Sequence, residues 1–488
     1  LTGDNSALRG ATTVRAGELR VTGSLTGSAT TVLLGATLSG NGTVGGLIAR
    51  SGSVVSPGAG GLGMLGVNGA IQLQSGSTLR LQVQAPSGSD MLIGNGTMQL
   101  GGTAAITNLG GTYAFNSNYL LLQASGGRTG TFDAVTGFGE FGILYRPELV
   151  YTANQVLLRM APNLLTNILG NTPLTANQRS VVSRIDAAVT AGYNPQPLFN
   201  VYALPNAQQP NAFDQLSGEV YVTMAGVGIE QERLVREAVL GRINAVAATA
   251  RQTPEWGNGA GAWGQVFGSW GDGERDGNAA RYESDRQGFI TGIDYGNANS
   301  EGSWRIGAFG VHMTSKVSVD ARGSRAEVEQ TGGGLYAGVN TGGVSVGMGA
   351  SVTGVDLTAV RNIALPGLAE TNRGRGDGRA VQGFAELSYA IEAGNATYRP
   401  FASVAVGEFK LDALTETGGA AALSVRRQSY RSGSVTVGAD GTVRMGRVNL
   451  SGTLAGRFQV GDRDPAAQIA LAAAPAQAFT IRGVQLDS

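Results

Sequence analysis

From Gly261 onward the chain repeats one pattern, in which apolar and polar side chains alternate over stretches of about ten residues. Val448, Leu450, Gly452, Leu454, Gly456, Phe458 and Val460 share one face, and Asn449, Ser451, Thr453, Ala455, Arg457 and Gln459 the other. Val435, Val437, Ala439 and Val443 alternate likewise with Ser434, Thr436, Gly438, Asp440 and Thr442. Val344, Val346, Met348, Ala350 and Val352 do so with Ser345, Gly347, Gly349, Ser351 and Thr353. One apolar face and one small or polar face predict a strand with lipid on one side. About ten such segments fit between Gly261 and Leu486. Trp304 to Met313 changes phase near Gly307, which predicts a bulge.

The connections alternate in length. Long polar ones are expected at Gly271–Asp285, Asp320–Arg325, Asn362–Gly378, Asp412–Ala421 and Asp462–Gln477. Short ones are expected near Asn297–Gly302, Thr341–Gly342, Ala393–Asn395 and Met445–Gly446. Long loops on one side and short turns on the other are the habit of membrane β-barrels. A soluble β-sandwich has no reason to keep it.

Residues 226–252 read as one helix carrying Glu230, Glu232, Arg233, Arg236, Glu237 and Arg242, with Glu232 and Arg236 at i,i+4 spacing. At 1.5 Å per residue, about twenty residues span roughly the thickness of a bilayer core. So many charges cannot face lipid, and a water-filled pore suits them. The first strand ends at a long loop, so the helix before it must end on the short-turn side. Residues 161–225 form a linker, with a helix opening at Leu174-Thr175-Ala176-Asn177-Gln178 and a proline-rich loop from Asn194 to Pro210.

Residues 1–160 carry a loose repeat of a Gly followed by a short apolar step: Gly17-Glu18-Leu19, Gly35-Ala36-Thr37-Leu38, Gly52-Ser53-Val54 and Gly76-Ser77-Thr78-Leu79. Steps of roughly twenty residues, with half-buried strands such as Leu79–Val83, predict a right-handed parallel β-helix. An ordinary β-sandwich is the alternative.

Composition sharpens this picture. The 488 residues include 78 glycines, only 14% are charged, and net charge is +0. Repetitive β structure suits such a chain, disorder does not, and no basic excess points to nucleic acid. The absence of cysteine excludes disulfides, thiolate metal sites and a cysteine nucleophile. No apolar run is long enough for a transmembrane helix. No signal peptide is visible, and the start at Leu1 reads as a fragment or processed form.

Candidate chemistry is sparse. The sole histidine, His312, falls within a strand and reads as a lumen or interface residue, not a catalytic base. Gly271-Asp272-Gly273 and Gly376-Asp377-Gly378 lack the ligand spacing of a calcium loop and read as turns. No catalytic, metal or cofactor site is expected. Arg375-Gly376-Asp377 falls in an expected surface loop and matches a tripeptide adhesins use, which marks a candidate adhesion motif. Trp256, Trp263, Trp270 and Trp304 suit interfacial girdles.

Read in order, these segments resemble the monomeric autotransporters. Leu1–Ser6 with Gly10–Leu19 resembles the autotransporter-associated passenger repeat, and Ser53-Val54-Val55-Ser56-Pro57-Gly58 a passenger turn. The end of the β-helix, up to about Met160, is similar to the pertactin-like segment. Leu174–Gln178 and Asp214-Gln215-Leu216-Ser217-Gly218-Glu219 resemble the linker motifs before the barrel. The resemblance implies an all-β chain: a β-helical passenger end (1–160), a linker (161–225), a pore-spanning helix (226–252) and a twelve-stranded β-barrel (257–488). About ten strands are present, with Ala478–Val484 as the antepenultimate one, and a final hairpin missing. The implied function is an outer-membrane translocator that secretes, anchors and displays its own passenger. A surface adhesin whose β-helix binds host or neighbouring-cell partners is the alternative. The implied partners are outer-membrane lipid, the barrel-assembly machinery, periplasmic chaperones and host-surface receptors, with no nucleic acid and a monomeric state.

Overall fold

Stacked apolar rows build the N-terminal unit. Leu19, Leu38, Val55, Leu79 and Ala104 follow one another through parallel pairs, as do Leu25, Val44 and Val67 on a second face. Leu38, Val55 and Leu79 are fully buried, each contributing about 1.5–3 kcal/mol by leaving water. Tight corners need glycine: Gly35, Gly52 and Gly76 all have positive φ. The result is a parallel β-helix. The computed structural model describes residues 1–488 apart from 59, 253–257, 300, 446–447, 463 and 486–488. Trp256 and part of the Met445–Gly446 turn therefore lie outside the described residues.

At its C-terminal end the β-helix changes pairing. Gln155–Pro162 runs antiparallel to both Asn118–Ala124 and Tyr145–Tyr151. An aromatic cluster closes this end: Tyr113 meets Tyr119, Phe141 and Tyr145 at ring-centroid distances of 5.3–5.9 Å. Residues 194–203, expected as linker loop, belong to this unit instead. Phe199 and Tyr202 pack on Phe115, and the Gln196 side chain accepts the Phe115 N–H at 2.6 Å. A short helix at Phe199–Tyr202 presents both rings.

The second unit contains residues 171–193 and 204–488. The helix Ala176–Thr190 opens on a capping box in which Thr175 and Gln178 satisfy each other's backbone. A long helix, Glu219–Gln252, follows Gly218 and starts seven residues before the expected 226. Its first turns are apolar (Val220, Val222, Met224), so the charge pattern that marks the pore helix begins only at Glu230.

Nine long strands then form one antiparallel sheet in sequence order. They are β1 (Gly259–Gly273), β2 (Tyr282–Ala298), β3 (Gly302–Val319), β4 (Ser324–Thr341), β5 (Val344–Leu365), β6 (Leu368–Tyr389), β7 (Ala396–Leu411), β8 (Gln428–Met445) and β9 (Val448–Gly461). A short strand, Ile391–Ala393, pairs on β7. The long helix contacts β2 through β7, so the sheet curls around it. Outward side chains are apolar: Val266, Ile293, Leu335, Val404, Leu454 and Phe458 are all exposed. Among the described residues no helix is long and apolar enough to cross a membrane.

Three expectations are corrected here. Trp304–Met313 contains no bulge, since β3 pairs with β2 and β4 in unbroken register. The apparent phase change arises because inward Phe309, Val311 and Met313 are as apolar as outward Trp304 and Ile306. Asn362–Gly378 is not a loop. β5 and β6 run 22 residues each and reverse at 366–367, well beyond the roughly ten residues that span a bilayer. Finally, Phe479–Arg482 does not extend the large sheet after β9. It pairs with Ala466–Leu471 in a separate four-stranded sheet with Leu414–Thr415 and Leu423–Val425.

Candidate functional site: the helix-filled interior of the sheet

Three polar stations fix the long helix inside the curled sheet. The first lies at its N-terminal end, beside the long connections. Glu219 accepts the Ala280 N–H at 2.6 Å and the Arg322 Nε–H at 3.0 Å. Arg322 also bridges to Asp214 at 2.8 Å. Burial raises the Asp214 carboxyl above its ordinary range, with Arg322 pulling the other way. Beside them, Arg361 of β5 holds Glu416 through two nitrogens at 2.8 and 3.1 Å. It also donates to the carbonyls of Gln215 and Ala421, while the Tyr221 hydroxyl donates to Glu416 at 2.8 Å. Every acceptor of this buried pair is used, which a low-dielectric ion pair needs to be stable.

The second station is the middle of the helix. Gly228 sits against the Phe409 ring, where an added Cβ would come within 2.5 Å of it. Glu230 pairs with Arg457 of β9 at 3.2 Å and with Arg233 at 3.7 Å, and Arg233 with Glu237 at 3.1 Å. Arg236 donates to Gln382 at 3.3 Å, and Gln382 in turn donates to the Glu232 carbonyl. The expected Glu232–Arg236 ion pair does not close, because Arg236 turns to β6. Glu232, Gln231 and Gln330 are buried with their side-chain ends unbonded among the described residues, an arrangement suited to internal water.

The third station is toward the short turns. Arg242 forks onto Asp294 of β2 at 2.9 and 3.1 Å, and Arg305 of β3 holds the same carboxylate. Tyr336 donates to Asp294 at 2.6 Å and accepts from the Trp263 indole at 2.8 Å. Asn244 and Arg399 both donate to Glu386.

Between these stations the helix is two-sided. Val235, Val239, Leu240 and Ile243 pack on Phe309, Val311, Met313 and Phe384. The opposite side faces a polar cavity of about 1110 Å³ lined by Glu230, Arg233, Arg236, Glu237, Arg399 and Arg457, among others. On that side the helix borders open space, and on the other it packs against the wall. The six charged helix residues are thus brought to one interior, five of them on named polar partners. Sequence reasoning missed Asp294, Arg305, Arg361 and Glu416. For Asp294, Arg305 and Arg361 the available signal was charge on the inward phase of strands, where lipid-facing alternation allows it; Glu416 lies between strands.

The remaining candidates do not join this interior. Arg375-Gly376-Asp377 lies within β6, opposite Thr358, Leu357 and Asp356 of β5, not in a surface loop. Its backbone is committed to the sheet and its side chains alternate, so it cannot present the tripeptide as a loop does. His312 faces outward, bonded to the Thr331 hydroxyl at 2.8 Å and beside Phe289. Trp263 points inward to Tyr336 and is no girdle residue, whereas Trp270 and Trp304 are exposed on the outer face. No group of three or more metal-ligating side chains occurs among the described residues.

A nine-stranded antiparallel sheet, apolar outside and curled about a charged helix, is matched by one family model, "Autotransporter beta-domain", over residues 262–488. This part of the chain is an autotransporter β-domain. It is a translocator domain of the outer membrane, of the β-barrel kind. An extracellular serine protease of Serratia marcescens is 25% identical over 487 residues, covering 89% of this chain and 45% of that protein. A second protein of the same description and organism is 25% identical over 256 residues, covering 52% and 24%. The chain thus spans less than half the length of these relatives. Among solved structures, the translocator domain of autotransporter NalP from Neisseria meningitidis aligns with a TM-score of 0.33 at 16% identity, covering 52% of this chain and 92% of that one. The β-domain of the Bordetella autotransporter BrkA aligns with a TM-score of 0.28 at 19% identity, covering 44% and 95%.

Proposed function

We propose that this autotransporter β-domain secretes, anchors and displays the chain that precedes it, the β-helix of residues 1–160 included. The observation that carries this reading is the direction of the long helix. Glu219, its first residue, is bonded at the long-connection end of the sheet, to Ala280 and Arg322. Ile243, near its last turns, packs on Gly338 close to the short turn that joins β4 to β5. The chain therefore enters the sheet from the long-connection side, passes through, and begins β1 on the opposite side. With long connections facing outward, everything before Glu219 lies outside the cell, tethered by a helix held at three polar stations. Lipid around the outward apolar face and the machinery that assembles barrels are the partners this reading calls for. The protease activity named for the Serratia proteins belongs to those proteins.

The test is an epitope inserted at the exposed Gly111-Thr112 bend of the β-helix in the full-length protein. Antibody should reach it on intact cells, and removal of residues 259–488 should abolish that signal while the protein remains detectable in the periplasm. An epitope reached only after the outer membrane is permeabilised contradicts the proposal.

A further inference from the structure

The apolar outer face is not uniform. On β6 to β9 it holds a groove of about 630 Å³, walled by Val381, Val406 and Val460 and floored by Gly383 and Gly433. Val406 stands between the two glycines in one cross-strand row. A Cβ added at Gly383 would meet nothing within 4 Å, so the space above the floor is open to an occupant. Where the groove runs toward the long connections, the outward positions turn basic. Arg431 lines the groove itself, and Arg379 and Lys410 are direct cross-strand partners one step beyond.

Like charges set opposite each other destabilise a sheet unless an anion lies between them. The protein supplies only part of one. Glu408 bonds Lys410 at 2.6 Å and Arg431 at 3.4 Å, whereas the Arg379 side chain has no hydrogen bond or ion pair among the described residues. Three cations against this single carboxylate leave the mouth of the groove positive. The next outward row, Asp356 with Asp377, is acidic and bounds the basic patch on the far side.

We propose that this groove binds one phosphorylated glycolipid of the leaflet on the long-connection side. An acyl chain lies over Gly383 and Gly433, and a phosphate sits between Arg379, Lys410 and Arg431 in charge-assisted hydrogen bonds. Continuity of the basic mouth with the lipid-facing groove selects a lipid over free phosphate, which has nothing to place on the apolar floor. The choice of leaflet rests on the orientation given under Proposed function. Arg375-Gly376-Asp377 takes its place as the edge of this patch.

Native mass spectrometry of the full-length protein in mild detergent tests the proposal with four probes: diphosphoryl lipid A, the same lipid dephosphorylated, phosphatidylglycerol and inorganic phosphate. Diphosphoryl lipid A should be retained in preference to the other three, and R379Q/K410Q should weaken its binding at least about tenfold. G383L, which fills the floor without disturbing the cations, should weaken it as well. Equal retention of the dephosphorylated lipid, of phosphatidylglycerol or by a folded R379Q/K410Q variant would overturn the proposal. If that variant does not fold, preference among the probes and its loss at high salt in the unaltered protein decide the matter. Binding in micelles does not depend on which end faces outward in the cell, so failure here and failure of the orientation are read separately.

Discussion

Arg361 and Glu416 form an ion pair from which water is wholly excluded, with side-chain exposures of 1% and 0%. The pair joins β5 to the segment between β7 and β8. Through Tyr221 it also grips the start of the long helix, and through Gln215 the short helix before it. Arg361→Met should therefore leave Glu416 charged, buried and unpaired, and destabilise the β-domain by about 3–5 kcal/mol. The double variant Arg361→Met/Glu416→Leu should recover most of that loss. The temperature at which the folded band unfolds on gels reads both outcomes; equal unfolding temperatures for the single variant and the unaltered protein would remove the latch.

Gly228 makes a second, steric claim. Because a Cβ there would lie 2.5 Å from the Phe409 ring, Gly228→Ala should cost about 1–3 kcal/mol by overpacking. Phe409→Leu in the same chain should relieve part of the cost. Alanine normally favours a helix over glycine, so a stabilised Gly228→Ala variant would show that helix and wall do not meet there.

The aromatic end of the β-helix predicts an alkaline transition. Burial pushes the Tyr113 hydroxyl up to about 12, and burial also raises Tyr119 and Tyr145. A raised phenol favours the folded form while protonated. Its contribution is complete below the ordinary value of 10.0 and is lost as pH rises from there toward about 12. Ultraviolet titration of the full chain should show phenols that ionise late and together with loss of tertiary structure. A Tyr113→Phe variant should remove part of the late fraction. Titration of all tyrosines near their ordinary value would contradict the packing.

The outward pattern of the strands was legible because lipid admits only apolar side chains, so Val448 to Val460 alternate without exception. The inward pattern was not. Phe309, Val311 and Met313 are apolar because they meet Val235 and Val239, and a strand apolar on both faces loses its period. Arg361 and Glu416 are 55 residues apart, and nothing local marks them as partners. The charged run from Glu230 to Arg242 was read as a pore helix from its length and polarity. Its true start at Glu219 was hidden, because Val220, Val222 and Met224 sit among wall and loop residues that no period reveals. Arg375-Gly376-Asp377 was misplaced for a related reason. Polar residues suggested a loop, where β5 and β6 in fact continue past the membrane as a paired ribbon.

Orientation is the claim on which the functional account stands, and the cysteine-free chain allows it to be measured with single introduced thiols. Glu274 is exposed between β1 and β2 on the long-connection side, and Glu301 is exposed in the short turn between β2 and β3. The account predicts that a membrane-impermeant maleimide labels Glu274→Cys on intact cells and labels Glu301→Cys only after the outer membrane is opened. Labelling of Glu301→Cys alone on intact cells would reverse the sheet, send the pore helix outward, and contradict the proposed display of the preceding chain.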